Sequence, residues 1–278
     1  MKIGSAAHRE RFCRRFIDTH EVFDPAALPW PVLDDAALGR LRAVPFWQEV
    51  LHTERRAGAI VAAFSATIDD PLVREAVELQ GVEEARHAGL IGEMIQRYGL
   101  PAEEQPPEPL NPDTYTAFAD FGYGECLDSF LGFGVFQIAR QAEFLPEPLF
   151  AIFDRLMLEE TRHIVFFVNW MAWQQARRGR LVVWARHLIS LHYYGRAIGR
   201  LVGTVRRGQK ENDGKDFSAT QAGIFLEGFT IRGLVEACCA ENRRRMAAFP
   251  DLLRPKLLPA LAGMALSLWR LFPRRKPA

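Results

Sequence analysis

The chain has 278 residues, 49% hydrophobic and 25% charged, a balance that excludes a disordered polymer and allows a sizeable buried core. Its formal net charge of +1 excludes the global basic excess that would draw the whole protein to nucleic acid, so no nucleic-acid partner is expected. Four cysteines, Cys13, Cys126, Cys238 and Cys239, supply neither a disulfide scaffold nor a C-x-x-C zinc pair, and they fit a reducing cytoplasm.

Residues 1–11 hold no apolar run ahead of their charges, so no secretory signal is expected, and Arg9, Arg11, Arg14 and Arg15 form a basic cluster there. From residue 45 onward, proline and polar clusters cut the sequence into long segments of helical period, and no stretch alternates as a sheet strand would. The first predicted helix runs over 45–68, opening on Pro45 and closing at Asp69-Asp70-Pro71. The second covers 71–98 and stops at Gly99-Leu100-Pro101. Residues 99–113 hold five prolines and no helical period. The third helix covers 113–143, with Asp113 placed to cap it, and the fourth covers 146–178. Further helices are predicted over 181–207, 218–247 and 256–271. Leu257 to Trp269 is too short an apolar run to span a bilayer; it is either a core helix or one that lies on a surface beside Arg274, Arg275 and Lys276.

The connection over 99–113 has a length that can be compared with its task. The second helix is roughly 42 Å long at about 1.5 Å per residue, and the linker can extend to roughly 50 Å at about 3.3 Å per residue. It can therefore return along the helix, giving two antiparallel hairpins joined by one long crossover.

Two segments repeat one pattern, Glu83-Glu84-Ala85-Arg86-His87 and Glu159-Glu160-Thr161-Arg162-His163. On a helix the second Glu and the His share a face. That face is otherwise apolar: Val77, Glu84, His87 and Ile91 in one helix, Leu156, Glu160, His163 and Phe167 in the other. A carboxylate buried without a partner costs several kcal/mol even after relaxation, which a cation would relieve. Glu54 and Glu84 lie equally far on either side of the turn near residue 69, and Glu125 and Glu160 nearly so about residue 143, so all four should meet at one depth.

With these residues in view, the segment from 45 to about 178 resembles the ferritin-like di-iron carboxylate family, which includes rubrerythrins, acyl-carrier-protein desaturases, bacterial multicomponent monooxygenases and the ribonucleotide reductase small subunit. The resemblance implies an all-α, ferritin-like four-helix bundle with a long crossover between its second and third helices. The expected organisation is a single helical domain over 1–278, with 45–178 as the metal-binding bundle and 181–278 as accessory helices packed on it. It implies two iron ions, Glu54 and His87 being terminal ligands of one, Glu125 and His163 of the other, and Glu84 and Glu160 bridges. Manganese in one or both positions suits the same donors.

The family's chemistries diverge, and departures from each narrow the choice. Ferritin proper is shorter and lacks the full second His ligand; the radical tyrosine of the reductase subunit is replaced by Ile91; the additional His of aromatic N-oxygenases is replaced by Leu156. Multicomponent monooxygenases carry a hydroxyl residue one turn after the third helix's glutamate, here Ser129, which the resemblance makes a candidate for proton delivery; a buried Ser bonded to its own helix is the alternative. Asp128 either supports a ligand His by a hydrogen bond or contacts an Arg at the bundle rim.

The expected function is a cytoplasmic non-haem di-iron oxidase or oxygenase that uses O2 to hydroxylate, desaturate or otherwise oxidise a small apolar organic substrate. Of the aromatics such as Phe118, Phe121, Phe167 and Trp170, most must be plain core and some are candidates to line its cavity. An external ferredoxin or reductase would supply electrons, since the chain holds no iron–sulfur cysteine cluster and no dinucleotide fingerprint. Two other readings stay open: a ferroxidase or peroxide-scavenging iron protein, and a non-enzymatic metal-binding protein at a membrane surface. Peripheral membrane contact through the C-terminal tail and a homodimer also stay open. His8, His20, His52, His187 and His192 stand alone and read as surface or satisfied core residues, and Glu227 and Glu236 as ordinary helix residues.

Overall fold

A computed structural model of the chain describes residues 2–44, 46–102, 106–179, 183–211 and 230–271. Among these the protein is all helical: α1 Ala6–Asp18, α2 Asp35–Ala43, α3 Trp47–Ser65, α4 Pro71–Tyr98, α5 Thr114–Gln141, α6 Glu147–Arg177, α7 Val183–Glu211, α8 Ile231–Met246 and α9 Leu257–Leu271. The expected opening on Pro45, the part of the expected helix over 218–229, Glu227 and the tail cations Arg274, Arg275 and Lys276 lie outside the described residues.

Local chemistry explains the boundaries. Asp70 caps α4 by accepting the Val73 N–H at 3.2 Å with Pro71 at the first position, and Gly99, at φ +57°, ends that helix in the left-handed conformation glycine tolerates. Asp113 caps α5, accepting the Thr116 N–H at 3.0 Å. Two helices ahead of the bundle, α1 and α2, had no counterpart among the predicted elements. Ser5 and Asp34 cap them in the same way.

α3 packs along α4, α5 along α6, and α3 also meets α5. Thr67 Oγ1 lies 3.5 Å from Thr114 Oγ1, so α5 begins at the end where α3 stops and α4 starts. The connection 99–113 must therefore return the length of α4, as its reach allows. On the way Glu108 pairs with Arg56 of α3 at 2.7 Å. α1 packs on α4 and α6, α7 and α8 pack on α5, and α9 packs on α8.

The core falls into two apolar layers stacked along the helices. One holds Phe64, Val77, Phe118, Phe167 and Trp170; the other holds Trp47, Leu51, Ile91, Leu149 and Leu156. On α3, α4 and α6, Glu54, Glu84 with His87, and Glu160 with His163 fall between residues of the two layers, whereas on α5 Glu125 lies within the first. The acidic and imidazole groups thus form one polar stratum through an otherwise apolar interior.

Candidate metal centre

Glu84, His87, Glu160 and His163 form a buried group that could hold a metal ion, each offering a ligand atom within 4.8 Å of the others. The two imidazole rings lie 5.4 Å apart. His87 Nδ1 stands 3.0 Å from Glu160 and 3.7 Å from Glu84; His163 Nδ1 stands 3.1 Å from Glu84 and 3.8 Å from Glu160. Each histidine therefore sees both carboxylates, which occupy the space between them. Glu54 joins from α3, 3.5 Å from His87 Nδ1. Glu125 joins from α5, close enough to Glu160, Glu84 and Glu54 for their charges to raise its carboxyl. All six residues singled out by their spacing are thus brought together.

The far side of each ring is tied down by a residue the sequence pattern displayed but did not assign. His163 Nε2 donates to Glu83 at 2.8 Å, and His87 Nε2 donates to Glu159 at 3.0 Å. The ties cross between helices: Glu83 of α4 holds the histidine of α6, and Glu159 of α6 holds the histidine of α4. Carboxylate acceptors fix the proton on Nε2 and leave the Nδ1 lone pair facing the cluster, the arrangement a metal-ligating imidazole needs. Arg162 pairs with Glu83 and Arg86 with Glu159; Arg162 and both carboxylates are buried and Arg86 is half-buried. The arginines are in turn covered by the N-terminal segment, Arg162 by the Phe16 ring at 5.1 Å and Arg86 by the Phe23 ring at 4.3 Å.

His20, read as a lone histidine, belongs to this outer layer, its Nδ1 lying 2.6 Å from Glu83. His8 is the satisfied core residue expected: Gly4 donates to its Nδ1, and its Nε2 meets Asn169 Oδ1 at 3.1 Å. Gln80, also unassigned from sequence, donates to Glu84 at 3.1 Å. Asp128 is exposed, with Arg200 and Glu160 as charged neighbours, and both histidine Nε2 atoms are taken by Glu159 and Glu83. Of its two expected roles, support of a ligand histidine is therefore not the one it plays. Ser129 is buried one turn beyond Glu125.

Charge in the stratum is unbalanced without a cation. Burial pushes the Glu54 carboxyl up to about 7, and burial together with Glu160 and Glu84 raises Glu125 well above the carboxylate range. Burial alone would lower His163, but Glu84 and Glu83 carry it up to about 10, and His87 is raised by Glu159 and Glu160 in the same way. Protons are thus held where cationic charge is wanted. The atoms left without a hydrogen-bond partner make the same point: His87 Nδ1, His163 Nδ1, Glu84 Oε2 and Glu160 Oε2 are all buried and unpaired. Four buried ligand atoms converging from two helices, with no hydrogen bond of good geometry, fit an ion.

Of the two readings of the aromatic residues, core packing is the one seen for Phe118 and Trp170. Phe118 stacks on Phe64 at 4.3 Å, and Trp170 meets Phe118 edge-on at 4.9 Å. Two grooves of about 430 and 370 Å³ lie elsewhere, one between α5 and α8 beside Gln137 and Ala237, the other beside Tyr115, Gln175 and His192; no residue of the polar stratum lines either. No described helix is long and apolar enough to cross a membrane. Comparison with protein-family models, with curated proteins and with solved structures finds no match for the chain.

Proposed function

We propose that this protein is a non-haem di-iron oxidoreductase that uses O2 to oxidise a small apolar organic molecule, on a ferritin-like four-helix scaffold formed by α3 to α6. The observation that carries the reading is the placement of Glu84 and Glu160 between two imidazoles whose Nδ1 atoms both face inward, with Glu54 and Glu125 at the flanks. Oxygen and nitrogen donors in this set suit iron, and manganese is the alternative occupant. When bound, an iron pair supplies one-electron redox steps and reactivity toward O2.

The chain's own residues do the rest. Glu84, Glu160, Glu54, His87, Glu125 and His163 would hold the ion pair, and the raised carboxyls and imidazoles would give up their protons to it. Glu83 and Glu159 orient the imidazoles and Gln80 orients Glu84. Ser129 is the hydroxyl proposed to deliver protons toward the centre. The two apolar layers exclude bulk water and favour an apolar substrate. Electrons come from an external ferredoxin or reductase.

A second reading, ferrous oxidation or peroxide removal without an organic substrate, is favoured by the close packing of Phe64, Phe118 and Trp170 beside the stratum. Metal analysis of freshly purified protein is expected to give about two irons per chain, with a transient visible band when the anaerobically reduced protein meets O2. Oxygen consumption sustained by ferrous iron alone would favour the second reading. Consumption that stops after one turnover, and resumes only with reductant and an apolar substrate, supports the first. Metal-free protein that gains no ions on incubation with ferrous iron overturns both.

A further inference from the structure

Helix α9 presents an apolar stripe that the rest of the described chain leaves uncovered. Leu257 and Leu258 face the core, whereas Leu261, Met264 and Leu268, at positions i, i+3 and i+7, are 42, 55 and 58% exposed, with Trp269 beside them. Exposed apolar side chains scattered singly need no explanation, but a contiguous stripe on one helix does.

The charge of the sequence that carries this stripe selects its occupant. From Leu252 to Ala278 the sequence contains no Asp or Glu and six cations, Arg254, Lys256, Arg270, Arg274, Arg275 and Lys276. The nearest acid before them, Asp251, is engaged by Arg11 at 3.4 Å. A second copy of this chain would bring two such segments of like charge together, whereas an anionic lipid surface offers acyl chains to the stripe and phosphates to the cations. The 15-residue helix is too short to span a bilayer but suits one lying in the interfacial plane, and Trp269 suits the headgroup region beside the basic end.

We propose that α9 binds the surface of an anionic phospholipid bilayer, lying in the interface. This surface is separate from the polar stratum, and the proposal stands independently of the metal chemistry.

The test is co-sedimentation of the full chain with vesicles of phosphatidylglycerol and phosphatidylcholine, and with phosphatidylcholine alone. Binding is expected to the anionic vesicles at about 0.1 M salt and to weaken greatly at about 1 M, where the screening length falls to about 3 Å. Replacing Arg274, Arg275 and Lys276 together by Gln is expected to lower partitioning on the order of a hundredfold. Met264→Glu with Leu268→Glu, both at exposed positions, should abolish binding while leaving helical circular dichroism and melting temperature unchanged. Equal binding to neutral and anionic vesicles, or binding that survives the double Glu variant, overturns the proposal. A dimer on size-exclusion chromatography that this variant dissolves, with no vesicle binding by the parent chain, also overturns it and assigns the stripe to a second copy.

Discussion

Glu83 Oε2 lies 2.8 Å from His163 Nε2, joining two helices at the one imidazole atom that faces away from the polar stratum. His163 raises the demand for a negative partner and Arg162 sits on the other carboxylate oxygen. Although burial would raise Glu83, the bond from His163 holds it down to about 2, ionised at any ordinary pH. Glu83→Gln keeps the size but removes the charge. Metal affinity is expected to fall about 10- to 100-fold with little loss of helix content, measured by titration of metal-free protein with ferrous iron under anaerobic conditions. Glu159→Gln should behave alike through His87. Unchanged affinity in both variants would show that the crossed ties do not orient ligands.

Removing a ligand should act more severely than removing a support. His87→Ala and Glu160→Ala are expected to leave less than one tightly held ion per chain. With metal binding to the folded state only, a hundredfold excess over the dissociation constant adds about 2.7 kcal/mol. Chelation should therefore lower the melting temperature of the parent chain and leave that of the ligand variants unmoved, as calorimetry with and without metal will report.

Gly122 faces Phe167 so closely that an added Cβ would stand 2.2 Å from the ring, and it lies one turn ahead of Glu125. Gly122→Ala should force α5 and α6 apart or turn Phe167 off its rotamer, at a cost of about 1–3 kcal/mol. Denaturant unfolding will show this, and because the displaced backbone carries Glu125, weaker metal binding should accompany it.

His8 gives the stability a pH dependence of determinable sign. Its Nδ1 accepts the Gly4 N–H at 3.3 Å, which puts the ring proton on Nε2, donated to Asn169. Protonation would set two N–H groups against each other, and burial lowers the ring below its ordinary 6.5 despite the Asn169 bond. The unfolded chain thus takes up the proton first. The contribution is complete above pH 6.5 and declines as pH falls below it through the lower folded value. His8→Gln should remove that part of the slope, so that melting curves of the two metal-free proteins converge between pH 8 and pH 5.5.

The helices over 71–98, 114–141 and 147–177 were legible because each joins an apolar period to a start signal, a capping Asp in the first two and Pro146 with Pro148 in the third, and α4 was delimited to the residue by Pro71 and Gly99. The six converging residues were legible for a related reason: equal spacing from two turns puts them at one depth. What local pattern could not reveal is what lies one residue off the stripe. Glu83 and Glu159 sit about 100° around the helix from their neighbours Glu84 and Glu160, at positions that read as surface. They are buried because α1 and the segment holding His20 and Phe23 close over them, a contact between residues some sixty or more apart in sequence, such as His20 and Glu83. The recurrence of the complete Glu-Glu-x-Arg-His pattern, arginine included, was the available signal. The choice between the two roles open to Asp128 was not legible, because α7, whose Arg200 it neighbours, gives no hint in sequence of where it packs.

The crossed ties also bear on how the centre comes into being. A lone α4 carries His87 without the acceptor that stops its ring from turning, and a lone α6 carries His163 in the same condition. Neither half is a weaker copy of the finished centre. As a nascent chain emerges, capacity for ions should therefore arise abruptly, once residues near 163 are free to dock on a segment synthesised some eighty residues earlier, and release should be equally abrupt when those two helices part.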